Sequence, residues 1–351
     1  LPVDDDDVHV WTSTLEEILA SGETLCTVAV GNDGHLPAKL NRIQPPADLV
    51  NGLSVGAATS LSDSWERCSY SCIGPGRSPG FVKPDGVAFG GHSDEPFQVY
   101  SPMVNGLART AGTSFSAPLV LRQAIALSAS LNYNITPLTA KALLIHHAES
   151  NNINRAEVGW GRFPHDLSEV IFCDDDEVKV IYQGTLKPSQ HMRAPIPFPD
   201  VPMRGCVNLR ATFCFSSPVD AEHPLNYTRS GLEVTMRKGV SDSSGLTFPL
   251  FNLKNVYADE NEQRVDAHKW ETTLRSEHKF KPNELTNPCF DIIYYGRDCG
   301  MPIDVDELEE LPYVLVVTLS AEEMPDLYNL IRQKYQTLQP IQVQQQIMLR
   351  T

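Results

Sequence analysis

Hydrophobic positions along the chain follow two different periods. In the first half, short apolar runs alternate with helical stripes. Leu25-Cys26-Thr27-Val28-Ala29-Val30 is compact and rich in β-branched residues, which predicts a buried parallel strand. Before it, Ser13-x-x-Glu16 reads as a capping box. Leu15, Ile18 and Leu19 then form one helical face, and Gly22 ends the helix. Apolar residues at 120, 121, 124, 125 and 127 predict a buried or one-faced helix. Thr136-Pro137 is an N-cap followed by proline at the first helical position, with Ala140, Leu143, Leu144 and Ala148 as the apolar face. From Asp174 the period falls to two. Val178, Val180 and Tyr182 alternate, as do Val207, Leu209, Ala211, Phe213 and Phe215, then Leu232, Val234 and Met236, then Phe290, Ile292 and Tyr294. Residues 195–202 are proline-rich and read as a loop or sheet edge. Tyr313 to Leu319 suits a strand covered on both faces. Asp326 to Leu338 reads as a helix with Leu327, Ile331, Tyr335 and Leu338 on one side, before a polar Gln-rich tail. The pattern predicts an α/β unit over 1–173 and a β-sandwich-like unit over 174–351.

Composition narrows the function classes. The 351 residues carry 41% hydrophobic and 8% aromatic side chains, as in a globular protein, and a net charge of −16. That charge argues against nucleic acid or an anionic membrane as a main partner, because phosphate binding needs clustered Lys and Arg. No apolar run is long enough to cross a bilayer. The acidic run Asp4–Asp7 reads as a solvated loop. The eight cysteines contain no Cys-x-x-Cys pair; the Cys68–Cys72 spacing is compatible with either a metal or a disulfide. No cofactor and no metal site is expected.

The chemistry concentrates in Gly112-Thr113-Ser114-Phe115-Ser116-Ala117-Pro118, placed just before the helical run. A serine there sits at the positive end of a helix dipole, where developing negative charge is favoured. Asn32 follows the strand at 25–30, at the strand end where open α/β sheets place their sites, although Asn and Gly are also ordinary turn residues. The heptapeptide resembles the nucleophile motif of the subtilisin-like serine peptidases, Gly-Thr-Ser-x-Ser/Ala-x-Pro. Val28-Ala29-Val30-Gly31-Asn32-Asp33-Gly34 resembles the subtilase segment with the oxyanion-hole asparagine. Asn51–Ala58 is similar to the family's Ile-Ala-Val-Gly-Ala strand, and Tyr70–Pro75 to its Phe-Ser-Ser-x-Gly-Pro turn. Val82–Gly90 resembles Lys-Pro-Asp-Val-Val-Ala-Pro-Gly, with Phe89 in place of the proline. Gly159-Trp160-Gly161-Arg162 is similar to the closing Gly-Tyr-Gly-Arg turn. The resemblance spans roughly residues 8–172.

It implies the C-terminal part of a subtilisin-like parallel-sheet peptidase domain, followed by the β-sandwich-like accessory domain. It implies Ser114 as nucleophile, Asn32 as oxyanion donor, and Ala29, Val30, Gly31 and Thr113 as residues that bind a protein or peptide substrate. In the family the triad runs Asp, His, Ser. Neither Asp-Ser/Thr-Gly nor His-Gly-Thr occurs before Asn32, and His92 falls between Asn32 and Ser114, out of order. Both triad partners are therefore expected upstream of residue 1, in the N-terminal part of a longer peptidase, which leaves this chain nearly inactive alone. The rival reading is a non-catalytic protein-binding module on a degenerate subtilase scaffold. His146 and His147 are expected to be structural. Trp270-Glu271-Thr272 and Leu311-Pro312-Tyr313-Val314 also resemble the tails of bacterial phage-defence subtilases, which implies an AAA-type ATPase partner and a cytoplasmic location; secretion is the alternative.

Overall fold

The computed structural model describes residues 1–239, 247–251, 270–297 and 308–336. Helix α1 (Val10–Leu19) leads into β1 (Thr27–Ala29), which pairs in parallel with β2 (Leu53–Ala58); β2 pairs in parallel with β3 (Gly86–Phe89). A hairpin of β4 (Phe97–Ser101) and β5 (Gly106–Thr110) follows, unforeseen from the pattern. Helix α2 (Thr113–Ser130) packs against all three parallel strands. Helix α3 (Pro137–His146) starts as expected, with the Thr136 hydroxyl accepting from Thr139 N–H at 3.1 Å. Two one-turn helices, α4 (Arg155–Val158) and α5 (Ser168–Ile171), close the first half.

The second half is two four-stranded antiparallel sheets. One runs β11 (Thr273–Phe280), β8 (Val207–Phe215), β13 (Leu311–Ser320), β6 (Glu177–Leu186). The other runs β10 (Thr247–Phe248), β9 (Ser230–Arg237), β12 (Cys289–Gly296), β7 (His191–Pro195). The continuous apolar run lands on central strand β13, and the proline-rich stretch begins at the end of edge strand β7, where lost ladder donors cost least. The final helix, α6 (Leu327–Lys334), buries Leu327 and Ile331. Leu338 and most of the Gln-rich tail lie outside the described residues.

The two halves share one core. A single apolar cluster runs from Leu53 and Val120 through Leu144 to Phe213, Val316 and Phe290. Helix α3 is buried from Leu138 to His146, packed on α2 and on β8, β11 and β13. Polar pairs cross the same seam. Asn51 and Ser217 exchange two hydrogen bonds of 3.0 Å. The Glu271 carboxylate accepts from Phe81 N–H at 3.2 Å, and the Thr272 hydroxyl donates to Val50 C=O at 2.6 Å. Arg275 Nη1 donates to the carbonyls of Ala148 and Trp160. His146 is fully buried with Nδ1 2.9 Å from Thr212 Oγ1 and Nε2 2.8 Å from Thr318 Oγ1.

Two local readings are corrected. Helix α1 begins at Val10, capped by His9, whose Nδ1 accepts from Trp11 N–H. Glu16 forms no capping box: it is buried, and its carboxylate takes the amides of Val50 and Asn51. Those amides have no other partner among the described residues, so they compete for the carboxylate better than the exposed helix end does. The buried face is accordingly Thr12, Glu16 and Leu19, while Ile18 is exposed. Strand β1 is three residues long, with Leu25 and Val30 flanking it as packed apolar residues. Seven cysteines fall among the described residues and all are free thiols.

Candidate active site

Strands β1, β2 and β3 are parallel, so their C-terminal ends lie along one edge of the sheet. The chain leaves β1 through Val30 and Gly31 to reach Asn32. It leaves β3 through Gly90, traverses the hairpin, and returns at Gly112 to start α2. Gly112 N–H donates to Gly90 C=O at 2.9 Å, which seats the helix start beside the end of β3. Gly112 has φ +156° and ψ 153°, a conformation that L side chains rarely adopt; a Cβ there would make only ordinary contacts, 3.7 Å from the Asn32 carboxamide and from Phe115, so glycine is needed for the backbone and not for clearance.

This return brings Thr113 to Asn32. Thr113 N–H donates to Asn32 Oδ1 at 2.9 Å, and the Thr113 hydroxyl donates to the same oxygen at 3.1 Å. A backbone N–H can only donate, so the facing amide atom must be the oxygen. Asn32 Nδ2 therefore points away from Thr113 with both hydrogens uncommitted among the described residues. Thr113 is buried, whereas Asn32 and the adjacent Ser114 are exposed. The Ser114 hydroxyl has no hydrogen-bond partner among the described residues.

The other residues expected to meet substrate divide. Ala29 and Gly31 are half-buried. Val30 is fully buried against Val3, Ile43, Ala47 and Cys72. Its N–H goes to Val55 and its C=O accepts from Gln44, so all its groups serve the interior. Thr113 gives both its donors to Asn32. Phe89, which replaces a family proline, stacks on Phe97 at 5.8 Å between ring centroids, and Phe97 stacks on Phe115 at 5.0 Å. The replacement thus ties the hairpin to the first turn of α2. His92 lies half-exposed beside Ser93 and Asp94. Among the described residues no group of three or more His, Cys, Asp or Glu could hold a metal ion.

Two supporting residues were not read from the sequence as part of the site, although Cys72 was noted for its spacing from Cys68. Cys72 Sγ accepts from Asp33 N–H at 3.3 Å, and Tyr70 Oη donates to Gly91 C=O at 2.9 Å. Both lie in the turn that resembles Phe-Ser-Ser-x-Gly-Pro, and the hydroxyl and thiol that distinguish this turn were the available signal.

Residues 3–161 match the subtilase family, peptidase family S8. That stretch is similar to a subtilase domain. Its edges agree with the span of motifs found in the sequence, and its parallel sheet and flanking helices are those of a serine peptidase fold. Among solved structures, the chain is similar to the self-cleaved protease domain of PatA (24% identity, TM-score 0.36, covering 46% of this chain and 55% of that one). It is similar also to sphericase (18%, TM-score 0.37, 47% and 56%) and to the epidermin leader peptide processing serine protease of Staphylococcus aureus (20%, TM-score 0.34, 40% and 39%). It spans about half the length of the first two and less of the third. No curated protein matches the chain.

Proposed function

We propose that this chain is the nucleophile-bearing part of a serine endopeptidase, with Ser114 as nucleophile and Asn32 as oxyanion donor. The observation that carries this reading is the pair of hydrogen bonds from Thr113 to Asn32 Oδ1. They leave Nδ2 as a fixed donor beside Ser114, unpaired among the described residues. The Ser114 oxygen attacks the scissile carbonyl carbon, and the carbonyl oxygen takes up negative charge. Asn32 Nδ2 and the Ser114 backbone N–H, at the first turn of α2, are the donors for that charge. The peptide C–N bond then breaks, the amine leaves with a proton, and water hydrolyses the acyl-serine.

Serine is a weak nucleophile until a base removes its proton. The exposed Ser114 hydroxyl, unpartnered among the described residues, is consistent with an imidazole and its orienting carboxylate supplied by polypeptide outside residues 1–351. In this reading the missing N-terminal part of the domain is the first partner and a peptide is the second. Thr113 acts on substrate only through Asn32.

The test uses a fluorophosphonate probe and casein. The isolated 351-residue chain is expected to label at Ser114 only weakly, while the protein extended upstream cleaves casein and loses that activity on Ser114→Ala. Cleavage that survives Ser114→Ala overturns the assignment. Rapid labelling of the isolated chain overturns the claim that its base lies elsewhere.

A further inference from the structure

One short loop, Cys68-Ser69-Tyr70-Ser71-Cys72, touches both sides of the candidate site. On the side of Asn32 it brackets that residue in sequence. Cys72 N–H donates to Gly31 C=O at 3.2 Å, Cys72 Sγ accepts from Asp33 N–H at 3.3 Å, and Tyr70 C=O accepts from Gly34 N–H at 2.8 Å. On the side of Ser114 the Tyr70 hydroxyl donates to Gly91 C=O at 2.9 Å, and the buried Cys68 thiol lies 3.5 Å from the same oxygen. Gly91 adjoins Gly90, whose carbonyl accepts from Gly112 N–H and so seats the start of α2. The fit is close: a Cβ on Gly90 would lie 2.6 Å from Ser116 Oγ and 2.8 Å from Tyr70 Oη. The loop is itself anchored to the sheet, since Ser71 Oγ accepts from Ala57 N–H at 3.0 Å.

We propose that Tyr70 is a positioning residue that sets the separation between Asn32 and Ser114. Its carbonyl holds the loop that presents the carboxamide, and its hydroxyl holds the turn that seats the nucleophile helix. Asn32 is otherwise exposed, so its placement relative to α2 depends on such connections and on Thr113. The proposal rests on the reading of Ser114 and Asn32 as the reacting pair. It extends that reading to a residue that touches neither the substrate nor the reacting atoms.

The test reads Asn32 directly and needs no catalysis. In the chain labelled with [15N]asparagine, the Asn32 side-chain amide pair is identified by its loss in Asn32→Asp. Tyr70→Phe removes only the hydroxyl. The expected result is a shift or exchange broadening of the Asn32 pair, while the pair of Asn51, locked to Ser217, stays in place. In the upstream-extended protein the same variant is expected to lower kcat roughly threefold to tenfold, the scale of one hydrogen bond, with KM unchanged. An unmoved Asn32 pair in Tyr70→Phe overturns the proposal, as does joint displacement of the Asn32 and Asn51 pairs, which marks general loosening. If Tyr70→Phe does not fold, Cys72→Ala replaces it: the Asn32 pair must move, and an unmoved pair overturns the clamp. Loss of the peptidase reading appears separately, as casein cleavage that survives Ser114→Ala.

Discussion

The corner at Asn32 and Ser114 and the seam beneath α3 treat polar groups in opposite ways. At the seam, polar side chains are closed off by partners: Asn51 by the Ser217 backbone, His146 by two threonine hydroxyls, Glu271 by Phe81 N–H, Arg275 by two main-chain carbonyls. At the corner, Thr113 fixes one end of a carboxamide and leaves the other end facing outward beside a hydroxyl with no partner among the described residues. A polar group buried and paired adds specificity to a fold. One held rigid but unpaired is available to something that arrives later. Variants at the seam should therefore alter unfolding, and variants at the corner should alter chemistry with little effect on unfolding.

The largest effect is expected at Arg275. Arg275→Ala leaves the carbonyls of buried Ala148 and Trp160 without their donor, at roughly 1–3 kcal/mol each, so about 4 kcal/mol of stability is lost in urea unfolding. Next comes Asn32→Leu in the upstream-extended protein. Removing the corresponding amide in subtilisin costs about 2.7–4 kcal/mol in the barrier, and a kcat loss of the same order is expected with an unchanged unfolding midpoint. A stability loss equal to the catalytic loss would erase the contrast between the two regions.

Acidity acts on the seam. Burial lowers His146 well below its usual 6.5 and His147 to about 2, reinforced by the nearby cations Lys179, Arg210 and Arg275. The unfolded chain binds these protons below about pH 6.5 and the folded chain does not. Each histidine thus removes about 1.4 kcal/mol of stability per pH unit of acidification below that value. Glu271 runs the other way. Burial raises its carboxyl to about 8 despite Phe81 N–H, Lys83 and Lys141, with Asp85 adding to the rise. Its contribution is complete below about pH 4.5 and is lost as pH rises toward 8, again at about 1.4 kcal/mol per unit. Midpoints measured against pH should peak near the usual histidine value; Glu271→Gln should flatten the alkaline side and His147→Gln the acid side. The smallest effect is expected for Thr113→Val, which removes one of two bonds to Asn32 Oδ1. It should cost about 1 kcal/mol in kcat and little in stability.

Periodicity made the sandwich strands legible, because Val207–Phe215 and Ser230–Arg237 carry apolar residues at every second position, even though β8 is buried on both faces from Ala211 onward. The hairpin was hidden because Phe97–Ser101 and Gly106–Thr110 form a two-stranded ribbon with no fully buried face. Strand β11 was hidden because Arg275, Ser276, Glu277, His278 and Lys279 interrupt its apolar pattern. Glu16 was misread because local spacing fits a capping box, whereas its partners, Val50 and Asn51, are distant in sequence. The motifs marked Asn32 and Ser114, but not the carboxamide's orientation. That orientation depends on which atom meets Thr113 N–H, a fact of tertiary contact.

Helix α3 has consequences for synthesis. From Leu138 to His146 it presents no side to water, and part of its covering arrives with β8 and β13. A ribosome releases Ser114 long before it releases Ser320. Throughout that interval the nascent chain carries a greasy cylinder covered by α2 and open on the sides that β8 and β13 will close, and a transcript cut short before β13 would yield a polypeptide fit for chaperones and proteases.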